Sequence, residues 1–370
     1  MPFRKYFFNL RYFDWILFFS VMILLSFGLS ALYGIAQSNE NPDFANLKKQ
    51  IMFAVIGVVI LFIMSFFDYN IFRSYAFISY IGFAFVLVYV LFFGKVLRGT
   101  SGWIQIFFFN FQPVELAKLV LMAILAKMCV ISAFHEKNIL FIVRTGIYAF
   151  IYFALVMFQP DFGSALILFL LWLGIIILSG VSKKYIFSVI VLFLIFFSMG
   201  WLFFFQDYQK DRMATFFQPM SDPLGRGYHV RQSVIAIGSG NIFGKGLASG
   251  SQSQLKFIPA SQTDFIFAVI SEELGFLGSA IVLFLYGVVL YRIIRIAQRA
   301  NDDFASFLVL GVSVVFFSQI IINIGMNLGI MPVTGIGLPF ISYGGSLLVI
   351  SMLFIGIVQG ISIRSIKYKT

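Results

Sequence analysis

Phe162-Gly163-Ser164-Ala165-Leu166-Ile167-Leu168-Phe169-Leu170-Leu171-Trp172-Leu173-Gly174-Ile175-Ile176-Ile177-Leu178-Ser179-Gly180 runs for 19 residues without one ionisable side chain. As a helix rising about 1.5 Å per residue, it comes close to the ~30 Å of a bilayer's hydrocarbon core. No polar stripe interrupts it, so no face is made for water. Such a segment is stable only inside protein or lipid.

The same kind of run recurs, and the sequence predicts ten spans, at about 15–35, 50–67, 75–93, 115–134, 140–158, 162–180, 185–205, 266–294, 304–331 and 340–363. Arg144 interrupts the fifth. Composition agrees: the chain is 61% hydrophobic, 19% aromatic and only 11% charged, where soluble domains average about 25% charged. So few charges could not clothe a water-facing surface for 370 residues. The expected fold class is an all-α integral membrane protein, a ten-helix bundle forming one polytopic domain over residues 1–370. The first run could pass for a signal peptide, with Gly34-Ile35-Ala36 resembling a cleavage site. It exceeds the ~7–15 apolar residues of such a peptide and is read as an uncleaved anchor.

The net charge of +11 raises the question of a nucleic-acid partner. The basic residues are scattered between spans, as in Lys183-Lys184 and in Arg292, Arg295 and Arg299, and form no single binding face. Counted with residues near the span ends, connections on the N-terminal side carry 15 Lys and Arg, and the short ones opposite carry 5. The basic side faces the cytoplasm, so both termini are expected there. A lone cysteine, Cys129, excludes an intrachain disulfide and a thiolate metal cluster. Two histidines, His135 and His229, are too few for a His-rich zinc site.

Three segments on the opposite, outer side do not look like simple connections. Residues 206–264 form one large loop rich in Gly, Ser and Gln, a composition that reads as a flexible linker or, at this length, as a functional loop. Residues 94–114 and 331–346 are apolar enough to enter lipid but broken by Gly and Pro. Such segments suggest re-entrant or interfacial backbone around a cavity. The chemistry is expected on this side.

Asp264 precedes an apolar run from 265 to 294 that would make a helix of about 45 Å, too long for one perpendicular span. Its first turns should lie at headgroup level, with Asp264 beside them. It reads either as an N-cap or as a group facing a lipid-linked head. Glu272 and Glu273 are about 12–13 Å further along such a helix, too far to share a proton with Asp264, and are expected to satisfy polar groups within the bundle. Glu115 and Lys118 stand one turn apart in the fourth span. Charges there are costly and usually paired; the pair either fixes packing or presents Lys118 to a substrate phosphate. Asp161 reads as an N-cap of the sixth span. Gln319, Asn323 and Asn327 recur every four residues, a stripe for interhelical hydrogen bonds or a polar cavity wall. In the long loop, Lys210, Arg212, Arg226, Arg231, Lys245 and Lys256 outnumber Asp207, Asp211, Asp222 and Asp264 by two. That excess suits an anionic headgroup or a pyrophosphate, or simply a solvated loop. No Walker motif, GxGxxG loop or HExxH is present, which argues against nucleotide-driven transport and zinc hydrolysis.

Several blocks in order resemble the SEDS family of bacterial cell-wall polymerases, the RodA/FtsW proteins. They are Gly102-Trp103-Ile104, Gln112-Pro113-Val114-Glu115-Leu116-Ala117-Lys118, Gln159-Pro160-Asp161-Phe162-Gly163 and Ser221-Asp222-Pro223-Leu224-Gly225-Arg226-Gly227-Tyr228-His229. Gln232 to Gly240, Gly244-Lys245-Gly246, Thr263 to Ala268 with Glu272-Glu273-Leu274-Gly275, and Pro339-Phe340-Ile341-Ser342-Tyr343-Gly344-Gly345-Ser346 complete the series. Together they cover about residues 94 to 360. Ser253-Gln254-Leu255 is similar to the RodA, or elongation, branch. The chain departs from the family at Val114, usually Ser, at Gly102, often Arg, and at Ser261-Gln262, where an acidic or basic residue followed by His is common.

The resemblance implies a peptidoglycan glycosyltransferase that polymerises lipid II at the outer face of the bacterial cytoplasmic membrane, beside a class B penicillin-binding protein. The family's essential loop aspartate maps onto Asp264 and its charged fourth-span pair onto Glu115 and Lys118; Arg212, Lys245 and Ser342 join the substrate-binding candidates. An α-linked donor and a β-linked product imply one inverting displacement with a single base, a role that fits Asp264. A cation such as Lys118 or Arg212, aided by a divalent ion such as Mg2+, would stabilise the leaving pyrophosphate. Two rival readings are a lipid II flippase, which needs no outer base, and a scaffold that only docks the transpeptidase.

Overall fold

The structure, a computed structural model, describes residues 12–37, 42–97, 100–106, 109–131, 139–203, 226–255, 257–258 and 260–367. Apolar runs become helices where expected: α1 (Trp15–Gln37), α2 (Ala45–Phe66), α3 (Asn70–Phe93), α4 (Pro113–Ile131), α5 (Ile139–Phe158), α6 (Phe162–Leu178) and α7 (Lys183–Phe203). After them come α8 (Arg226–Ser239), the short α9 (Ser251–Gln254), α10 (Ile266–Arg299), α11 (Asp303–Asn327) and α12 (Gly345–Lys367). Among the described residues, seven helices are long and apolar enough to cross a membrane: α1, α2, α3, α5, α10, α11 and α12. α6 is shorter, at 17 residues, and α4 carries Glu115, Lys118 and Lys127. Large apolar side chains point outward along the helices, with Phe92 73% and Phe93 74% exposed. Water would penalise such faces and lipid would not. The chain is a multi-pass membrane protein.

The core is built on α4, whose side chains are buried almost throughout. It packs against α3, α11 and α6, while α12 lies along α2, and α10 against α1 and α11. Pro113 opens α4 at a position where its missing N–H is not needed. Asp302 caps α11 by accepting from the Ala305 amide at 2.8 Å.

Two features differ from the sequence reading. Three short segments form an antiparallel sheet, β1 (Lys95–Leu97), β2 (Thr100–Ile106) and β3 (Phe109–Phe111), paired in the order β1-β2-β3. The fold is therefore mostly helical rather than all-α. The strands satisfy each other's backbone groups, as at Gln105 opposite Asn110, and the Ser101 amide ties the sheet to the Gln159 carbonyl at the end of α5.

The described part of the Gly/Ser-rich stretch, residues 226–255, 257–258 and 260–264, is folded against the helices. What holds it is a break in α10 at Gly275, whose φ of 66° and ψ of −161° are non-helical and belong to glycine almost exclusively. In an unbroken helix the amides of Phe276 and Leu277 would bond the carbonyls of Glu272 and Glu273. Here those amides bond Asn241 and Ile242 oxygens at 2.8 and 3.1 Å, and the freed carbonyls accept from Lys245 and Gly246 amides at 3.0 Å each. The loop thus repairs the helix it interrupts.

Candidate active site

Asp264 ends a turn that precedes α10. Its amide bonds the Ala260 carbonyl at 3.1 Å, and α10 begins at Ile266 with Phe265 at the N-cap position. Asp264 therefore stands one residue before the cap. Its own carbonyl accepts from the side-chain amides of Asn323 and Asn327 at 3.1 and 2.9 Å. Asn327 also accepts from the Ala268 amide at 3.2 Å. The lower half of the polar stripe on α11 thus fastens the backbone around Asp264, and Asn323 additionally bonds the Ile336 carbonyl at 2.7 Å.

The half-buried Asp264 side chain lines a cavity of about 300 Å³. All three segments that the sequence marks as unusual contribute to its wall: Thr100 and Trp103 from β2, Thr263 and Asp264 from the long loop, and the backbone around Gly335 and Gly344. The α4 pair is there too. Lys118 donates to Glu115 Oε1 at 2.6 Å, and both residues are buried. Gln319, the upper member of the α11 stripe, also faces the cavity. The stripe serves both expected uses, bonding at its lower end and cavity wall at its upper end.

Asp161 is the N-cap of α6, accepting from the Ser164 amide at 2.9 Å. Its other oxygen accepts from the Ser164 hydroxyl at 2.7 Å and from the side-chain amide of Gln112 at 3.0 Å, and the residue also lines the cavity. Ser346 links the end of the sheet to the start of α12, accepting from the Gln112 amide at 3.1 Å and donating to the Asn110 carbonyl at 3.0 Å.

Other candidates sit elsewhere. Lys245 pairs with Glu272 at 3.0 Å and donates to Ser251 at 2.9 Å, so its ammonium serves the repaired helix break and does not line the cavity. The Ser342 hydroxyl is buried, accepting from the Leu338 amide at 2.7 Å and donating to the Thr263 carbonyl at 2.6 Å. It joins the α12 approach to the residue before Asp264. Arg212 lies outside the described residues. Glu272 accepts from the Gln252 and Ser253 amides at 2.8 and 3.0 Å, and Glu273 from Ala248 at 3.2 Å, which is the structural role expected of them.

His229 of α8 also lines the cavity, and the sequence reading gave it no role. Its signals were rarity, as one of two histidines in the chain, and its place at the end of the Ser221 to His229 block. Among the described residues no three His, Cys, Asp or Glu side chains converge to hold a metal ion.

Residues 10–367 match the FtsW/RodA/SpoVE family model, described as cell cycle protein. The chain is 38% identical over 329 residues to the peptidoglycan glycosyltransferase MrdB of Escherichia coli K12, covering 88% of this chain and 87% of that one. A solved peptidoglycan synthase complex, whose subject is the coordination of polymerization and crosslinking, superposes with a TM-score of 0.82 at 27% identity, covering 95% of this chain and 98% of its counterpart. The crystal structure of the Thermus thermophilus rod shape determining protein RodA gives 0.71 at 26% identity, covering 95% and 96%. The match along nearly the whole length, in sequence and in fold, makes this chain a member of the FtsW/RodA/SpoVE family.

Proposed function

We propose that this protein is a peptidoglycan glycosyltransferase of cell elongation, polymerising lipid II at the outer face of the cytoplasmic membrane with Asp264 as its general base. The observation that carries the reading is the Asp264 carboxylate on the wall of a cavity that also holds the buried Glu115–Lys118 pair. In the reaction, Asp264 takes the proton of an acceptor sugar 4-hydroxyl as that oxygen attacks the donor's anomeric carbon. The bond from that carbon to the pyrophosphate oxygen breaks, and the lipid pyrophosphate leaves from the opposite face. A single base and one displacement invert the centre. Lys118 stabilises the leaving charge, oriented by Glu115.

The arrangement in the membrane follows from the same reading. α4, α6 and α7 join the seven apolar helices for ten crossings of one polytopic domain, with both termini in the cytoplasm and residues 206–264 outside. The broken backbone at 331–344 lies at the outer membrane boundary, where non-helical chain is tolerated beside a cavity. The partner is a class B penicillin-binding protein that cross-links the strands, in keeping with the synthase complex this fold resembles.

The test is purified protein with lipid II, analysed on a gel for glycan strands and, in vesicles, for lipid II translocation. Polymer formation supports the enzyme. Translocation without polymer supports a flippase and contradicts the proposal.

A further inference from the structure

The end of the bundle opposite Asp264 carries a second pocket, smaller and differently charged. α10 runs from the cavity at Ile266 to Arg299, and its last turns place Arg292, Arg295 and Arg299 at intervals of three and four, on one face. That face borders a cavity of about 160 Å³ closed by Tyr12 and Asp14 ahead of α1 and by Ser362 and Ser365 near the end of α12. One water takes up about 30 Å³ in the liquid, so a phosphate group has room.

Asp14 is already committed. It takes both a 2.6 Å and a 2.8 Å contact from the Arg292 guanidinium on one oxygen, and its other oxygen accepts from the Leu17 amide at 3.0 Å. Its amide bonds Gln359 of α12 at 2.9 Å. Arg292 is thereby held in place. Among the described residues neither Arg295 nor Arg299 has a carboxylate partner. Three guanidinium groups against one carboxylate leave the pocket at +2. Arginines that merely orient a span need no cavity and no hydroxyl groups facing them.

We propose that this pocket binds the headgroup of an anionic phospholipid, with a two-phosphate lipid of the cardiolipin type as its preferred ligand. Guanidinium forks match phosphate oxygens in pairs, and the Ser362 hydroxyl adds a donor. The site lies where α1, α10 and α12 end together, the level at which headgroups lie. Its charge is equal and opposite to that of two phosphodiesters. A bound lipid would tie together the three helix ends beneath the Asp264 segment.

The test is native mass spectrometry of the full-length protein in detergent, titrated with tetraoleoyl cardiolipin, dioleoyl phosphatidylglycerol or dioleoyl phosphatidylethanolamine. Cardiolipin should bind most tightly, and the Arg295→Gln/Arg299→Gln double variant should bind it about 10- to 100-fold more weakly with an unchanged unfolding midpoint. If the double variant does not fold, Arg299→Gln alone, at an exposed position, should still weaken binding several-fold. Undiminished binding by the variant overturns the site. Displacement of the lipid by millimolar inorganic phosphate would reassign it to a free anion, and equal affinity for phosphatidylglycerol would remove the two-phosphate preference.

Discussion

Asn327, at the end of α11, donates its side-chain amide to the backbone carbonyl of Asp264 across 2.9 Å and accepts from the Ala268 amide at 3.2 Å. One buried side chain thus clamps the turn before α10 and the first turn within it. The carboxylate that faces the cavity owes its place to a residue 63 positions away in sequence.

Asn327→Ala should therefore act on both stability and turnover. The substitution removes two buried hydrogen bonds, each worth about 0.5–1.5 kcal/mol, which thermal unfolding in detergent would register as a lower midpoint. A displacement of about 1 Å at a reacting group can cost roughly 100-fold in rate. Polymerisation should fall 10- to 100-fold, and an unchanged rate would show that Asn327 does not position Asp264.

Gly275→Ala should release the loop that docks on α10. The backbone there has φ 66° and ψ −161°, and an added Cβ would collide with the Gly244 nitrogen and the Ile242 carbonyl. Four loop-to-helix hydrogen bonds depend on that close approach. The expected result is faster proteolysis within residues 240–250 and a lower unfolding midpoint. A variant as protease-resistant as the parent would contradict the repaired-break description.

Much of this was legible in the sequence, and the reason is the solvent. Lipid demands long apolar helices, so the runs at 15–35, 50–67 or 304–331 could hardly fold otherwise. Long-range backbone pairing left weaker marks. Thr100-Ser101-Gly102-Trp103-Ile104-Gln105-Ile106 does carry β-branched and aromatic residues suited to a strand, but its apolar content read as membrane-entering. Gly275 looked like any glycine in an apolar helix, because its break is set by the docking of residues 241–246. Lys245 looked like a phosphate ligand for the same reason: its partner, Glu272, lies 27 residues away.

That pairing gives an asymmetric expectation. Glu272 is fully buried and accepts from two loop amides besides Lys245, so Glu272→Ala should cost several kcal/mol and most of the activity. The Lys245 side chain is 29% exposed, and Lys245→Ala should leave polymerisation within a few-fold of the parent. A loss of activity in Lys245→Ala with unchanged stability would return it to the substrate site.

The α4 pair separates packing from chemistry. Removing either partner of a buried ion pair costs about 3–5 kcal/mol, whereas replacing both by neutral groups of similar size is often harmless to folding. Glu115→Gln and Lys118→Met should each lower the unfolding midpoint, and the double variant should recover it. If Lys118 stabilises the leaving pyrophosphate, the recovered double variant still polymerises poorly. Full activity in that variant would make the pair structural only.

The most direct test concerns the carboxylate itself. Asp264→Asn keeps the size of the side chain and the backbone contacts to Asn323 and Asn327 but removes the proton acceptor. In purified protein with the proposed transpeptidase partner and lipid II, the account expects an unchanged unfolding midpoint and no glycan strands on the gel. Strand synthesis at the parental rate would contradict it.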